Sequence, residues 1–90
     1  MTTAKLCLDV MRLSKIVTEK GNKNAITDGA CSAYFAYSAM KGAIMNVLIN
    51  LKNIEDKNFV DNMKNEINIL LKEGDEILKY VENKTLEVIS

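Results

Sequence analysis

The sequence predicts an all-α protein: three long helices of a helical bundle, completed by oligomerisation. Three observations predict it. The 90 residues contain no proline and only four glycines, so helix breakers are rare. Apolar residues recur at alternating spacings of four and three along most of the chain, which is the helical period. Between Asp28 and Lys52 the only charged residue is Lys41, and a helix so poor in charge must be buried nearly all round.

The first helix begins at Thr2 or Thr3 as cap candidates and places Leu6, Val10, Leu13 and Val17 at spacings of four, three and four. Leu8, Met11 and Ile16 broaden its apolar side, so it meets more than one neighbour. Gly21 stands where a helix ends with left-handed backbone. The polar turn Gly21-Asn22-Lys23-Asn24 follows. Thr27 or Asp28 then caps a second helix running roughly from Asp28 to Lys52. One of its stripes reads Ser32, Ala36, Ala39, Ala43, Asn46, Asn50, small at first and then polar, and another reads Met40, Ile44, Val47, Leu51. Its length would suit a bilayer, but Lys41, Asn46 and Asn50 would cost several kcal/mol there, so a central bundle helix is expected and not a membrane span. Asp56 caps the third helix, where Val60, Met63, Ile67, Leu70, Gly74, Ile77 and Val81 hold a strict heptad seam. Its outer face carries charge, including an Asp75 and Lys79 pair at i,i+4.

A chain of this length makes one helical domain, residues 1–90. It buries only a little over ~60% of its unfolded surface, and its second helix, about 36 Å long, is longer than a compact globule of this size is wide. A homodimer or larger homo-oligomer is therefore expected. Basic and acidic residues balance at twelve each, which argues against a nucleic-acid partner held by phosphate neutralisation. The balance is uneven along the chain: Lys5, Arg12, Lys15, Lys20 and Lys23 lie near the start, while acids dominate after residue 55. The two ends can attract each other, within a subunit or between two.

With two cysteines and no histidine, neither a disulfide framework, an imidazole-metal site nor a serine or cysteine triad can be built. Cys7 and Cys31 read as buried thiols of a reducing cytoplasm. Charges at Lys5, Asp9, Arg12 and Lys15 interrupt any signal-peptide pattern, so a cytoplasmic location is expected. Proton transfer must then use carboxylate, lysine, tyrosine or water.

The run Gly21-Asn22-Lys23-Asn24-Ala25-Ile26-Thr27-Asp28, followed by Ala39, Gly42-Ala43, Asn46-Val47 and Ile49-Asn50-Leu51, resembles the cyclodeaminase/cyclohydrolase family of folate one-carbon enzymes. That family includes the cyclodeaminase domain of formiminotransferase-cyclodeaminase and bacterial methenyltetrahydrofolate cyclohydrolases. The resemblance covers nearly the whole chain but only about the C-terminal half of the family, whose upstream helical half contains a Pro-Gly-Gly-Gly-Ser type segment. This chain has no proline and no Gly-Gly, and carries Lys23 where the family usually has proline. The upstream half is thus a possible separate partner.

The resemblance implies cyclodeamination of formiminotetrahydrofolate with loss of ammonia, or hydrolysis of methenyltetrahydrofolate to formyltetrahydrofolate. The tetrahydrofolate derivative is the substrate, and neither a cofactor nor a metal is called for. Asp28, the only acid between Glu19 and Glu55, is the candidate catalytic carboxylate; its alternative role is an N-cap, where the helix dipole would make it a poor base. Asn24, Lys41, Asn46 and Asn50 are the candidate substrate-binding residues. Asn24 can hold a pterin edge or simply close its turn. Asn46 and Asn50 either fix helix register or face a ligand cavity. Lys41 either meets the substrate's glutamate tail or extends to solvent. Tyr34 and Tyr37 offer stacking faces or core packing. A non-catalytic all-α self-association module accounts for the same helices without chemistry.

Overall fold

The computed structural model describes residues 1–21 and 23–90. They form three helices, α1 (Thr2–Glu19), α2 (Lys23–Leu51) and α3 (Lys57–Ile89), so the all-α class is as expected. The helices lie side by side in a rod measuring 51 × 17 × 15 Å with a radius of gyration of 15.2 Å. A compact chain of this length would have a radius nearer ~12 Å. The length of α2 and α3 sets the long dimension.

The expected heptad seam of α3 faces inward: Ile67, Leu70, Gly74, Ile77 and Val81 are buried, and Thr85 continues the row. Asp56 caps α3 as expected, its carboxylate accepting from the Phe59 N–H at 3.1 Å. Of the Met40, Ile44, Val47, Leu51 stripe of α2, Met40 and Ile44 pack with that seam, Val47 is partly buried against it, and Leu51 is buried. Gly74 is a close-approach point, because a Cβ there would lie 2.6 Å from Met40 Cε. At the other side of α2, a Cβ on Gly29 would lie 3.3 Å from Val17 Cγ1 and 3.5 Å from Thr18 Oγ1. The two glycines let α1 and α3 flank the middle helix closely.

The turn after α1 is closed by Gly21, whose φ of 65° lies in the left-handed region and whose N–H donates to Thr18 O at 3.0 Å. The unlike charges of the two ends meet within the subunit. Arg12 on α1 pairs with Glu73 on α3, Lys5 stands 3.9 Å from Glu66, and Lys15 lies over the Tyr80 ring.

Several expectations are corrected. The α1 residues turned inward are Ala4, Leu8 and Met11, whereas Leu6, Val10, Leu13 and Val17 form its outward stripe. Met1, not Thr2 or Thr3, is the α1 N-cap residue, and it makes no side-chain cap bond. The second helix starts at Lys23, a turn and a half earlier than expected, so Thr27 and Asp28 lie inside it and cap nothing. Within one chain α2 is not buried all round: Phe35, Met45 and Ile49 are exposed. Cys7 is half-buried and Cys31 exposed, so the thiols are not both buried. Asp75 is engaged by the Tyr37 hydroxyl of α2, which donates to its carboxylate. Of the quoted turn, Asn22 lies outside the described residues. None of the described helices is long and apolar enough to cross a membrane.

Candidate functional site

The α1–turn–α2 hairpin leaves an open furrow on the side away from α3. At the turn end its walls are Val10, Leu13, Ser14 and Val17 from α1, with Ala25, Asp28, Gly29 and Ser32 from α2, enclosing about 340 Å³. A middle section lies between Leu6 and Val10 on one wall and Phe35, Ala36 and Ala39 on the other. At the far end Thr3 faces Gly42, Ala43, Asn46 and Asn50 around a hollow of about 410 Å³. Shared residues join the sections: Val10 and Ser32 border the first two, Thr3 and Ala39 the last two. The small residues of α2 keep the floor low.

Four of the five candidate residues share this face. Asn24, Asp28, Asn46 and Asn50 project within about 80° of one another around α2, and all four are exposed. Asp28 and Asn46 differ by five whole turns, so they point the same way from positions about 27 Å apart along the axis. A ligand of pterin size cannot touch both within one chain. Asp28 stands at the edge of a largely apolar hollow, and takes part in no side-chain hydrogen bond or ion pair among the described residues. Asn46 and Asn50 form the polar end of the furrow.

Lys41 stands elsewhere. It lies about 140° around the helix from Asp28, on the side facing α3, with Nζ 5.2 Å from the centroid of the Tyr37 ring. Tyr37 in turn donates to Asp75, and Tyr34, one turn earlier, donates to Glu82 Oε2 at 2.6 Å. The bond to Glu82 holds the Tyr34 phenol above its ordinary pKa, with desolvation adding to it. Both tyrosines are thus tied to α3 by their hydroxyls rather than presenting free rings along the furrow.

Two contributors to the furrow escaped the sequence reading. Phe35 is 78% exposed at its middle, and the readable signal was its place in the row Asp28, Ser32, Phe35, Ala39, Gly42, Asn46, Ile49, spaced strictly four and three. The outward α1 stripe had been given to the interior, because two apolar rows on one helix look alike in sequence.

Comparison with known proteins connects this hairpin to an enzyme family. The family model described as formiminotransferase-cyclodeaminase matches residues 1–69, a span that contains α1, α2 and every candidate residue. A methenyltetrahydrofolate cyclohydrolase of Methylorubrum extorquens is 34% identical over 74 residues, covering 82% of this chain and 36% of its own length. The chain therefore spans just over a third of that relative. No solved structure matches it. The match of the family model across the whole α1–α2 furrow and into α3 decides the assignment: the chain belongs to the formiminotransferase-cyclodeaminase family.

Proposed function

We propose that the chain is a folate one-carbon protein. Its reaction is either cyclodeamination of formiminotetrahydrofolate to methenyltetrahydrofolate and ammonia, or hydrolysis of methenyltetrahydrofolate to formyltetrahydrofolate. The observation that carries this reading is the family match over residues 1–69, which includes Asn24, Asp28, Lys41, Asn46 and Asn50. The relative from Methylorubrum extorquens is named for the second reaction.

Both reactions pass through a tetrahedral carbon between two folate nitrogens. In hydrolysis, water adds to the methenyl carbon and loses a proton. One carbon–nitrogen bond then breaks: the departing nitrogen receives a proton and the added hydroxyl loses one as it becomes the formyl carbonyl. In cyclodeamination a folate nitrogen adds to the formimino carbon, and the amino group leaves as ammonia after gaining a proton. A carboxylate that takes a proton and gives one back serves either course. Asp28 fills that role, on the polar edge of a hollow whose other walls are largely apolar and exclude water once covered. Asn24, on the same face as Asp28, holds a ring edge of the substrate through its amide, and Asn46 and Asn50 of a neighbouring subunit complete the contacts. Lys41, on the α3 side, meets the anionic tail of a ligand bound by a neighbouring subunit. The protein acts in the cytoplasm as a homodimer or larger homo-oligomer.

A second reading has one observation in its favour. The 27 Å between Asp28 and Asn46 (about 18 residues of helix) leaves a single chain without a converged site, as a self-association module would be. The decay of methenyltetrahydrofolate absorbance separates the two. It is followed with this chain alone and with the unmatched portion of the Methylorubrum extorquens cyclohydrolase added. Decay above buffer, and above the added portion alone, supports the enzyme; no decay in either mixture leaves the self-association module.

A further inference from the structure

A hollow of about 360 Å³ lies between α2 and α3, near the start of α2 and the end of α3. It shares no lining residue with the furrow between α1 and α2. On α3 it is lined by Glu82, Thr85, Leu86 and Ile89, whose spacings of three, four and seven put them on one helix face. Ala30, Cys31 and Tyr34 of α2 form the opposite wall. The two helices run antiparallel, since Tyr34 meets Glu82 while Tyr37 meets Asp75. Tyr34 and Glu82 therefore close one end, and Leu86 and Ile89 line the other, about 10 Å away along α3.

The polar groups of this hollow are incompletely satisfied. Glu82 accepts one hydrogen bond, from the Tyr34 hydroxyl at 2.6 Å, and no lysine or arginine pairs with it among the described residues. A carboxylate has room for several more donors. Thr85, one turn further on, is 6% exposed, and its hydroxyl has no hydrogen-bond partner among the described residues. A threonine within a helix has two accessible χ1 settings, so this hydroxyl can turn toward a donor in the hollow. Beyond Thr85 the walls change character: Leu86 and Ile89 are both more than half exposed. An uncompensated carboxylate and a spare hydroxyl at one end, with uncovered apolar side chains at the other, are the pattern of a small-molecule site.

The same pattern selects the ligand. An ammonium group has three donors and no acceptor, which suits two oxygen acceptors, and its bond to a carboxylate is charge-assisted. An anion in the same place is repelled by Glu82. We propose that the α2/α3 hollow binds a small primary amine with an apolar body, its ammonium held between the Glu82 carboxylate and the Thr85 hydroxyl and its body covering Leu86 and Ile89. Bound there, the body passes in front of the Cys31 thiol, which is exposed in the empty hollow. The site uses neither Asp28 nor the furrow, so it stands apart from the folate reading.

Cys31 supplies the readout. In a Cys7→Ser background the rate of Cys31 alkylation by iodoacetamide is followed by mass spectrometry at constant ionic strength, with phenethylamine, phenethyl alcohol or 3-phenylpropionate added. These three share a body and differ in the charge of the head. A fragment of this size binds at best near ~1 mM, so ~10 mM phenethylamine is expected to slow alkylation by about 10-fold, as one plus the ratio of ligand to Kd. The alcohol, without the charge-assisted bond, is expected to slow it by about 2-fold or less, and the carboxylate not measurably. Glu82→Gln keeps an acceptor for Tyr34 and removes the charge; with helicity unchanged, it is expected to bring the amine down to the level of the alcohol. Thr85→Val is expected to weaken protection by the amine several-fold, through the lost acceptor. Absence of protection by the amine overturns the proposal, as does equal protection by the carboxylate. An amine preference that survives Glu82→Gln overturns it too, because the head would then be held elsewhere.

Discussion

The Arg12 guanidinium on α1 grips the Glu73 carboxylate on α3 with two hydrogen bonds, Nε to Oε2 at 2.5 Å and Nη2 to Oε1 at 3.0 Å. Asp9, one turn before Arg12, accepts from Nη1 at 2.9 Å. The three charges tie the basic start of the chain to its acidic third helix across 61 residues of sequence. Two-point pairing agrees with the rotation of α1 that buries Ala4, Leu8 and Met11 against the other helices.

The hydrogen bond from Arg12 holds the Glu73 carboxyl below its ordinary pKa, with the Arg12 charge acting in the same direction. A carboxylate whose folded pKa is lowered stabilises the fold above its unfolded pKa, and that contribution is lost as pH falls through the folded value. Glu73→Gln is therefore expected to lower stability by up to about 1 kcal/mol at pH 7, the small size following from solvent exposure. Urea titrations of the two proteins should converge as the pH is lowered below the ordinary carboxylate range.

Thr85 is buried on α3 and its hydroxyl oxygen has no hydrogen-bond partner among the described residues. An unpaired buried hydroxyl carries a desolvation cost with no return. Thr85→Val keeps the shape and removes the polar atom, and is expected to raise stability by about 1 kcal/mol. A loss of stability in chemical denaturation would mean that this hydroxyl is paired in solution.

Gly29 sits where α1 and α2 touch, 3.3 Å from Val17 to an ideal Cβ. Helix propensity favours replacing it by about 1 kcal/mol, but a large side chain must drive the helices apart. Gly29→Leu is expected to cost about 1–3 kcal/mol net of that gain, read as a lower midpoint in thermal unfolding followed by circular dichroism.

The Asp56 carboxylate satisfies the Phe59 N–H at the start of α3. Asp56→Ala is expected to cost about 1 kcal/mol, while Asp56→Ser retains most of the cap. Hydrogen exchange should show the loss confined to the first turn of α3.

The third helix was the most legible part of the sequence, since a single apolar row with charge on every other side leaves one way to face a core. In α1 two apolar rows competed, and the choice between them is made by partners distant in sequence, chiefly Glu73 and the close approach at Gly29. The start of α2 was hidden by Lys23 and Asn24, which read as a turn but continue the helix to within three residues of α1. That shift moved Asp28 from a cap position to the wall of a furrow. The row of polar and small residues on α2 was visible, yet its outward orientation was not, because a charge-poor helix is normally a buried one. Lys41 was assigned by its isolation along the chain, whereas its side chain belongs with Tyr37 on the α3 side.

Asp28 is the proposed proton-transferring group of a folate one-carbon reaction. The most direct test is the rate of methenyltetrahydrofolate disappearance, in the assembly that shows turnover, for Asp28→Asn against the unmodified chain, with helicity and mass checked for both. Loss of general acid–base catalysis by the carboxylate predicts a fall of about 10²–10⁴-fold at unchanged helicity and mass. Equal rates for the two proteins would contradict the claim and leave Asp28 as a residue of the furrow wall alone.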